Sequence, residues 1–143
     1  MVFTQNGQGT FVRQPRVSVQ NFIQGVDVAA TYKTVVTAGP NGSKVVSVIV
    51  CSQDTANAHV MSLAINRSAT RYPLGSANCA ISAGTNGFTP PMDIIQSGPL
   101  PLPVDNDGQK YLFLESGDTL DCTFASNLNT SQNLYVTAIF GDF

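Results

Sequence analysis

The sequence predicts an all-β chain: an antiparallel β-sandwich, with a jelly roll as its favoured form, carrying an N-terminal arm and a long loop insertion. Three observations carry that expectation. Short apolar runs of period two recur along the chain, each bounded by clusters of Gly, Pro, Asn or Ser. No helical periodicity lasts long enough to define a helix. Most gaps between the runs are shorter than the roughly dozen residues a parallel crossover needs, so neighbouring strands pair antiparallel.

Residues 1–16 read as an arm, rich in Gln, Asn, Gly and Thr. Val2, Phe3, Phe11 and Val12 punctuate it, and such apolar points anchor an arm on a partner or along its own domain. Residues 17–143 form a single β-sandwich domain with an irregular insertion at 75–109. The first strand is "VSVQNFI" (17–23). "ATYKTVVT" (30–37) alternates in polarity, and "AGPNGS" (38–43) is a turn. In "KVVSVIVC" (44–51), strict alternation puts Val45, Ser47, Ile49 and Cys51 on one face and Val46, Val48 and Val50 on the other. A strand apolar on both faces is covered on both, by the second sheet and by an arm or neighbouring subunit. "HVMSLAIN" (59–66) alternates, with His59, Met61, Leu63 and Ile65 on one face and Ser62, Ala64 and Asn66 on the other. "TRYPL" (70–74) reads as an edge strand, because Pro73 cannot donate to a ladder.

The insertion is rich in proline and glycine and holds a short strand near 92–96. A long irregular stretch on a compact sandwich is usually contact surface. "KYLFLE" (110–115) turns through "ESGD" into "TLDCTFAS" (119–126), and "LYVTAIF" (134–140) is the last strand.

Composition narrows the function. With 143 residues the chain suits one domain that needs no disulfide or metal to fold. Only 11% of residues are charged, against a usual value of about 25%. Amides and hydroxyls take their place, and such a surface favours contact with other protein. Net charge is −2, with 7 Lys plus Arg and no basic patch, which argues against a nucleic-acid partner. No apolar run reaches the roughly 20 residues of a membrane span, so no membrane partner is expected. The first residues carry no basic start followed by an apolar core. The expectation is a mature sequence, or a chain that leaves its host without secretory export.

Candidate chemistry is sparse. His59, the one histidine, has Asp54 five residues away but no nucleophile turn, and reads as a hydrogen-bonded strand-end histidine. "VDNDGQK" (104–110) resembles part of a calcium loop, yet Pro103 and Leu114 fall where ligands belong, so an Asp-Gly turn explains it better. Glu115, Asp118 and Asp121 read as solvated charges at a hairpin end. The 3 cysteines form no C-x-x-C pair. They read as free thiols, with a Cys51–Cys122 bridge and an intersubunit Cys79 pair as alternatives. No catalytic residue, metal site or cofactor is expected, and the chain is read as a non-enzyme.

"TVVTAGPNGSKVVSVIVCSQDTANAHVMSLAIN" (34–66) and "YLFLESGDTLDCTFASNLNTSQNLYVTAIF" (111–140) resemble a pattern of small tailed-bacteriophage virion proteins of the capsid decoration, or cement, type. In each, a strand passes through a Gly-containing turn into a second strand, and a polar loop leads to a third. The resemblance implies a sandwich or jelly roll bound to the major capsid protein on the outside of the virion, made in the host cytoplasm and acting as a homo-oligomer, dimer or trimer. It does not extend over 75–109. The contact residues expected for that role are Phe3, Phe11, Arg13 and Arg16 on the arm and Ile94, Ile95, Leu100 and Leu102 in the insertion. A tail, neck or fibre-base virion protein and a lectin-like carbohydrate-binding sandwich are the alternatives.

Overall fold

The computed structural model describes residues 14–143. Among them there is no helix. The strands are β1 (Gln14–Ile23), β2 (Lys33–Thr37), β3 (Ser43–Ser52), β4 (His59–Arg67), β5 (Thr70–Cys79), β6 (Met92–Asp93), β7 (Leu112–Leu114), β8 (Thr119–Phe124) and β9 (Asn133–Asp142). They build two antiparallel sheets. The first runs β1-β9-β3-β6, with β7 also on β3; the second runs β2-β8-β4-β5.

The pairing is nested. β4 pairs with β5, β3 with β6 and β7, β2 with β8, and β1 with β9. A long double-stranded ribbon with this nesting, rolled so that β9 meets β3 and β8 meets β4, is a jelly roll. Between the sheets lies one core, in which Phe22, Val48, Val50, Met61, Leu63, Leu120, Phe124, Leu134 and Val136 are fully or almost fully buried.

β1 begins at Gln14, so Gln14, Pro15 and Arg16, expected in the arm, pair with Asp142, Gly141 and Phe140 of β9. Phe3, Phe11 and Arg13 lie outside the described residues. β5 is an edge strand, as Pro73 requires, but runs on to Cys79.

The alternation expected in β3 does not hold along its whole length. A bulge between Val45 and Ser47 inserts Val46 opposite β9. Such an extra residue moves every later side chain to the opposite face. Val45 therefore shares the core with Val48 and Val50, while Ile49 and Cys51 face outward and are half-buried. The aliphatic run of β3 thus reflects a change of face, along with cover from the insertion.

The insertion is tied down closely. Ile94 N–H donates to Val48 O at 2.9 Å, and Ser52 N–H to Ala83 O at 2.8 Å. Leu100 packs so tightly on β5 that a Cβ at Gly75, whose φ is +148°, would sit 2.3 Å from its Cδ2. Between β6 and β7 the ladder on β3 is interrupted, and the Gln96 side chain fills the gap. Its amide donates to Val46 O at 2.6 Å and Lys110 O at 2.8 Å, and accepts from Lys110 N–H at 3.1 Å.

The innermost turn, joining β4 to β5, is Ser68–Ala69, with φ of +51° and +63°. Both central residues being left-handed makes it a primed hairpin turn, where Asn-Gly is preferred. Alanine in that region carries a steric cost of roughly 1–2 kcal/mol. Ala69→Gly is expected to stabilise the protein by about 1 kcal/mol, read as a higher urea midpoint at unchanged m-value.

Candidate interaction surface

The ionisable side chains pair off locally. Asp54 and His59, both fully buried, join at 2.8 Å between Oδ2 and Nε2. Asp54 Oδ1 also accepts the Ala56 and Asn57 N–H groups at 2.9 Å each and the Asn129 amide at 3.0 Å. On its other side, His59 Nδ1 lies 3.1 Å from both the carbonyl oxygen and the hydroxyl of Ser126. The couple therefore knits the β3–β4 loop to the β8–β9 loop. Burial acts to raise the Asp54 pKa. The Ala56, Asn57 and Asn129 backbone N–H groups and His59 together outweigh it and hold the carboxyl well below the usual carboxylate range.

Asp118 and Asp121 are not solvated, contrary to expectation. Both are buried, and each faces an arginine. Arg67 binds Asp118 in a two-pronged pair of 2.7 and 2.6 Å, and Arg71 Nε lies 2.9 Å from Asp121. Charges at a hairpin end made solvent the simple expectation; arginines reaching over from β4 and β5 reverse it. Arg67 depresses the Asp118 pKa. Asp105 accepts the Asp107 and Gln109 N–H groups, so its Oδ1 is occupied by the Asp-Gly turn, and Oδ2 faces Lys44 at 3.6 Å. Among the described residues, no group of His, Cys, Asp or Glu is placed to hold a metal ion.

All three cysteines are free thiols. Burial pushes the Cys79 thiol up to about 11, with Cys51 adding to it, and the Cys122 thiol up to about 12, with Asp121 adding to it. Neither thiol forms appreciable thiolate near neutral pH. Cys79 is fully buried at the end of β5, which removes it from any intersubunit bridge in the folded chain.

The two outer sheet faces differ sharply. On the second sheet, most polar groups satisfy one another, Asn66 Oδ1 being buried without a partner among the described residues. Asp121 also accepts from Thr34 at 2.9 Å and Thr119 at 3.0 Å, Arg71 stacks 4.4 Å over Tyr32, and Ser62 bonds Ser76 at 2.8 Å. On the first sheet, the register sets Val17 beside Ile139, Val19 beside Thr137, and Thr137 beside Ile49. Val17 is 66% exposed and Val19 72%, with Ile23, Tyr135 and Ile139 also open to solvent. Exposed apolar residues that are contiguous, unlike scattered ones, mark contact surface.

A second apolar feature is Phe88, 92% exposed at a loop tip. The Asn86 side chain accepts the Phe88 and Thr89 N–H groups at 2.9 and 2.8 Å, and Gly84 N–H closes on Thr89 O at 2.8 Å. The ring is therefore presented by an ordered turn, and Pro90–Pro91 follow it.

The expected contact residues fall differently. Ile94 and Ile95 are fully buried and Leu100 nearly so; all three belong to the core of this chain. Leu102 is half-buried against that core. Arg16 is exposed, but its Nε pairs with Asp142 at 2.7 Å. Sequence reasoning missed Val17, Val19 and Phe88. For Phe88 a signal was present, an aromatic set in "NGFTPP" among turn formers; for the valines the uncharged run "VSVQN" does not by itself show an edge.

No protein-family model matches the chain, and no curated protein matches it. Among solved structures it is similar to a pentameric capsid protein isolated from metagenomic phage sequences, at 16% identity and a TM-score of 0.37, over 87% of this chain and 60% of that one. It is similar to a chain of the cyanophage Pam1 capsid asymmetric unit at 17% identity and a TM-score of 0.42, over 100% and 94%. Infectious bursal disease virus, Gx strain, gives 10% identity and 0.31, over 99% and 40%. The chain spans about three-fifths of the pentameric protein. At these scores the similarities carry no argument about what this chain binds.

Proposed function

We propose that this chain is a non-enzymatic structural protein of a bacteriophage particle, and within it a head decoration protein that binds the outside of the major capsid shell as a homo-oligomer. The observation that carries an assembly role is the apolar outer face of the first sheet, opposite a second sheet whose outer face is held by polar pairs such as Thr34–Asp121 and Arg71–Asp121. The placement in a virion is supported by the sequence resemblance over 34–66 and 111–140. The mechanism is burial of apolar and amide-rich surface across seams between shell subunits. Specific interfaces bury on the order of 1,200–2,000 Å². Many copies on one lattice add their effects. With only 11% charged residues, little ionic desolvation opposes that burial.

The test is made on source particles. A copy number comparable with that of the major capsid protein, and loss of heat or osmotic resistance in particles lacking this chain, are expected. A low copy number would move it to the tail or neck, and particles of unchanged resistance would defeat the cement role.

A further inference from the structure

The first sheet ends in β1, a strand of 10 residues whose far side meets no strand among the described residues. Which backbone groups point outward follows from two bonds. Lys33 Nζ donates to Asn21 O at 2.7 Å, and Ile23 N–H donates to Asp27 Oδ2 at 2.8 Å. Both partners lie on the β2 side, so the odd-numbered residues of β1 aim N–H and C=O at the open edge and the even-numbered ones bond β9. Gln24 N–H on Gln132 O continues the even set. At the open edge, then, Asn21 O and Ile23 N–H are capped. Pro15 has a carbonyl but no N–H. Among the described residues, no partner is recorded for the outward backbone groups of Val17 and Val19. The stretch from Val17 to Asn21 carries no charge and no bulge, the devices by which edges usually repel other strands.

We infer that this edge pairs with the same edge of a second copy, β1 antiparallel to β1 about a two-fold axis at Ser18. The inference deepens the proposed oligomeric role and rests on it for its setting. In this register Val17 faces Val19 of the second copy and Val19 faces Val17, and both pairs exchange N–H and C=O completely. Asn21 faces Pro15, where the N–H that proline lacks meets the carbonyl that Lys33 already holds. The missing donor and the occupied acceptor coincide, and Asn21 N–H is left to donate to Pro15 O. The neighbouring registers do worse. One sets Pro15 opposite Val19 and leaves the Val19 carbonyl without a donor. The other sets Asn21 opposite Val17 and leaves the Val17 N–H without a free acceptor. An isologous contact is self-complementary in this way. It would join two first sheets into one and align Val17 and Val19 of both copies into a single apolar row on the outer face.

Light scattering on the full chain is expected to give twice the 15.1 kDa chain mass. Val19→Pro removes an outward N–H and leaves the β9 ladder intact, so the variant is expected to be a folded monomer by circular dichroism. Ser18→Cys fixes the register. Residues facing each other in a non-hydrogen-bonded pair lie about 4.5 Å apart, within disulfide reach. Mild oxidation should link Ser18→Cys chains covalently, whereas Gln20→Cys, which faces Arg16, should stay unlinked. A monomeric native chain, as would result if residues 1–13 of the same chain covered the edge, overturns the inference. So does a dimer that survives Val19→Pro, or one in which Ser18→Cys does not link. Native chain that is monomeric yet still binds particles overturns the two-fold pairing alone and leaves the virion role standing.

Discussion

Asp54→Asn is expected to lower the unfolding free energy by about 2–4 kcal/mol, because buried donors that lose their acceptor cost about 1–3 kcal/mol each. Asp54 is fully enclosed and serves as acceptor for His59, for the Ala56 and Asn57 N–H groups and for Asn129. An amide in its place keeps one acceptor oxygen and presents an NH2 group to donors. The loss falls at one end of the sandwich, where the β3–β4 and β8–β9 loops meet. The check is urea unfolding at pH 7. Acidification tests the same interaction. A carboxyl held below its unfolded value, about 3.9 for Asp, stabilises fully above that value and ceases to as pH falls through the folded one. Asp54 and Asp118 are both lowered, so native stability should decline below about pH 4. Asp54→Asn should decline less steeply, since one of the lowered carboxylates no longer titrates.

Gln96→Leu is expected to cost roughly 2–4 kcal/mol, because an apolar side chain leaves part-buried backbone groups unpaired at about 1 kcal/mol or more each. Three groups are at stake: Val46 O, Lys110 O and Lys110 N–H. Val46 lies in the gap between β6 and β7 on β3, so no strand supplies its partner, and the glutamine amide stands in for a strand. Hydrogen exchange at Lys110 N–H should accelerate in the variant more than at β9 amides. Equal acceleration everywhere would mean that the glutamine acts only through global stability.

The strands, their order and the sandwich were legible because period-two patterning and turn residues are local properties. The β3 face change was not, since a bulge depends on how β9 lies against it. Ile94 and Ile95 read as contact residues because an aliphatic pair in a proline-rich stretch gives no sign of direction; tertiary packing turned both inward. The place of His59 at a strand end predicts its hydrogen-bonded ring, whereas Asp54, five residues away in a loop, shows its partnership only in the fold. The exposed valines of β1 escaped notice for the opposite reason. Alternating Val, Ser, Val in a strand suggests burial, and only the sheet order shows that this strand is an edge.

The rolled-ribbon topology has a consequence for biosynthesis. β8 and β9, the last of the described strands in chain order, are central in their sheets: β9 lies between β1 and β3, and β8 between β2 and β4. Until they leave the ribosome, each sheet is split by a gap in its middle, and four strands offer bare ladders at once. Distant pairings of this kind are slow to form. The nascent chain therefore stays adhesive until translation of this domain is almost finished, and a stalled or prematurely terminated product would be a seed for clumping, not a smaller working unit.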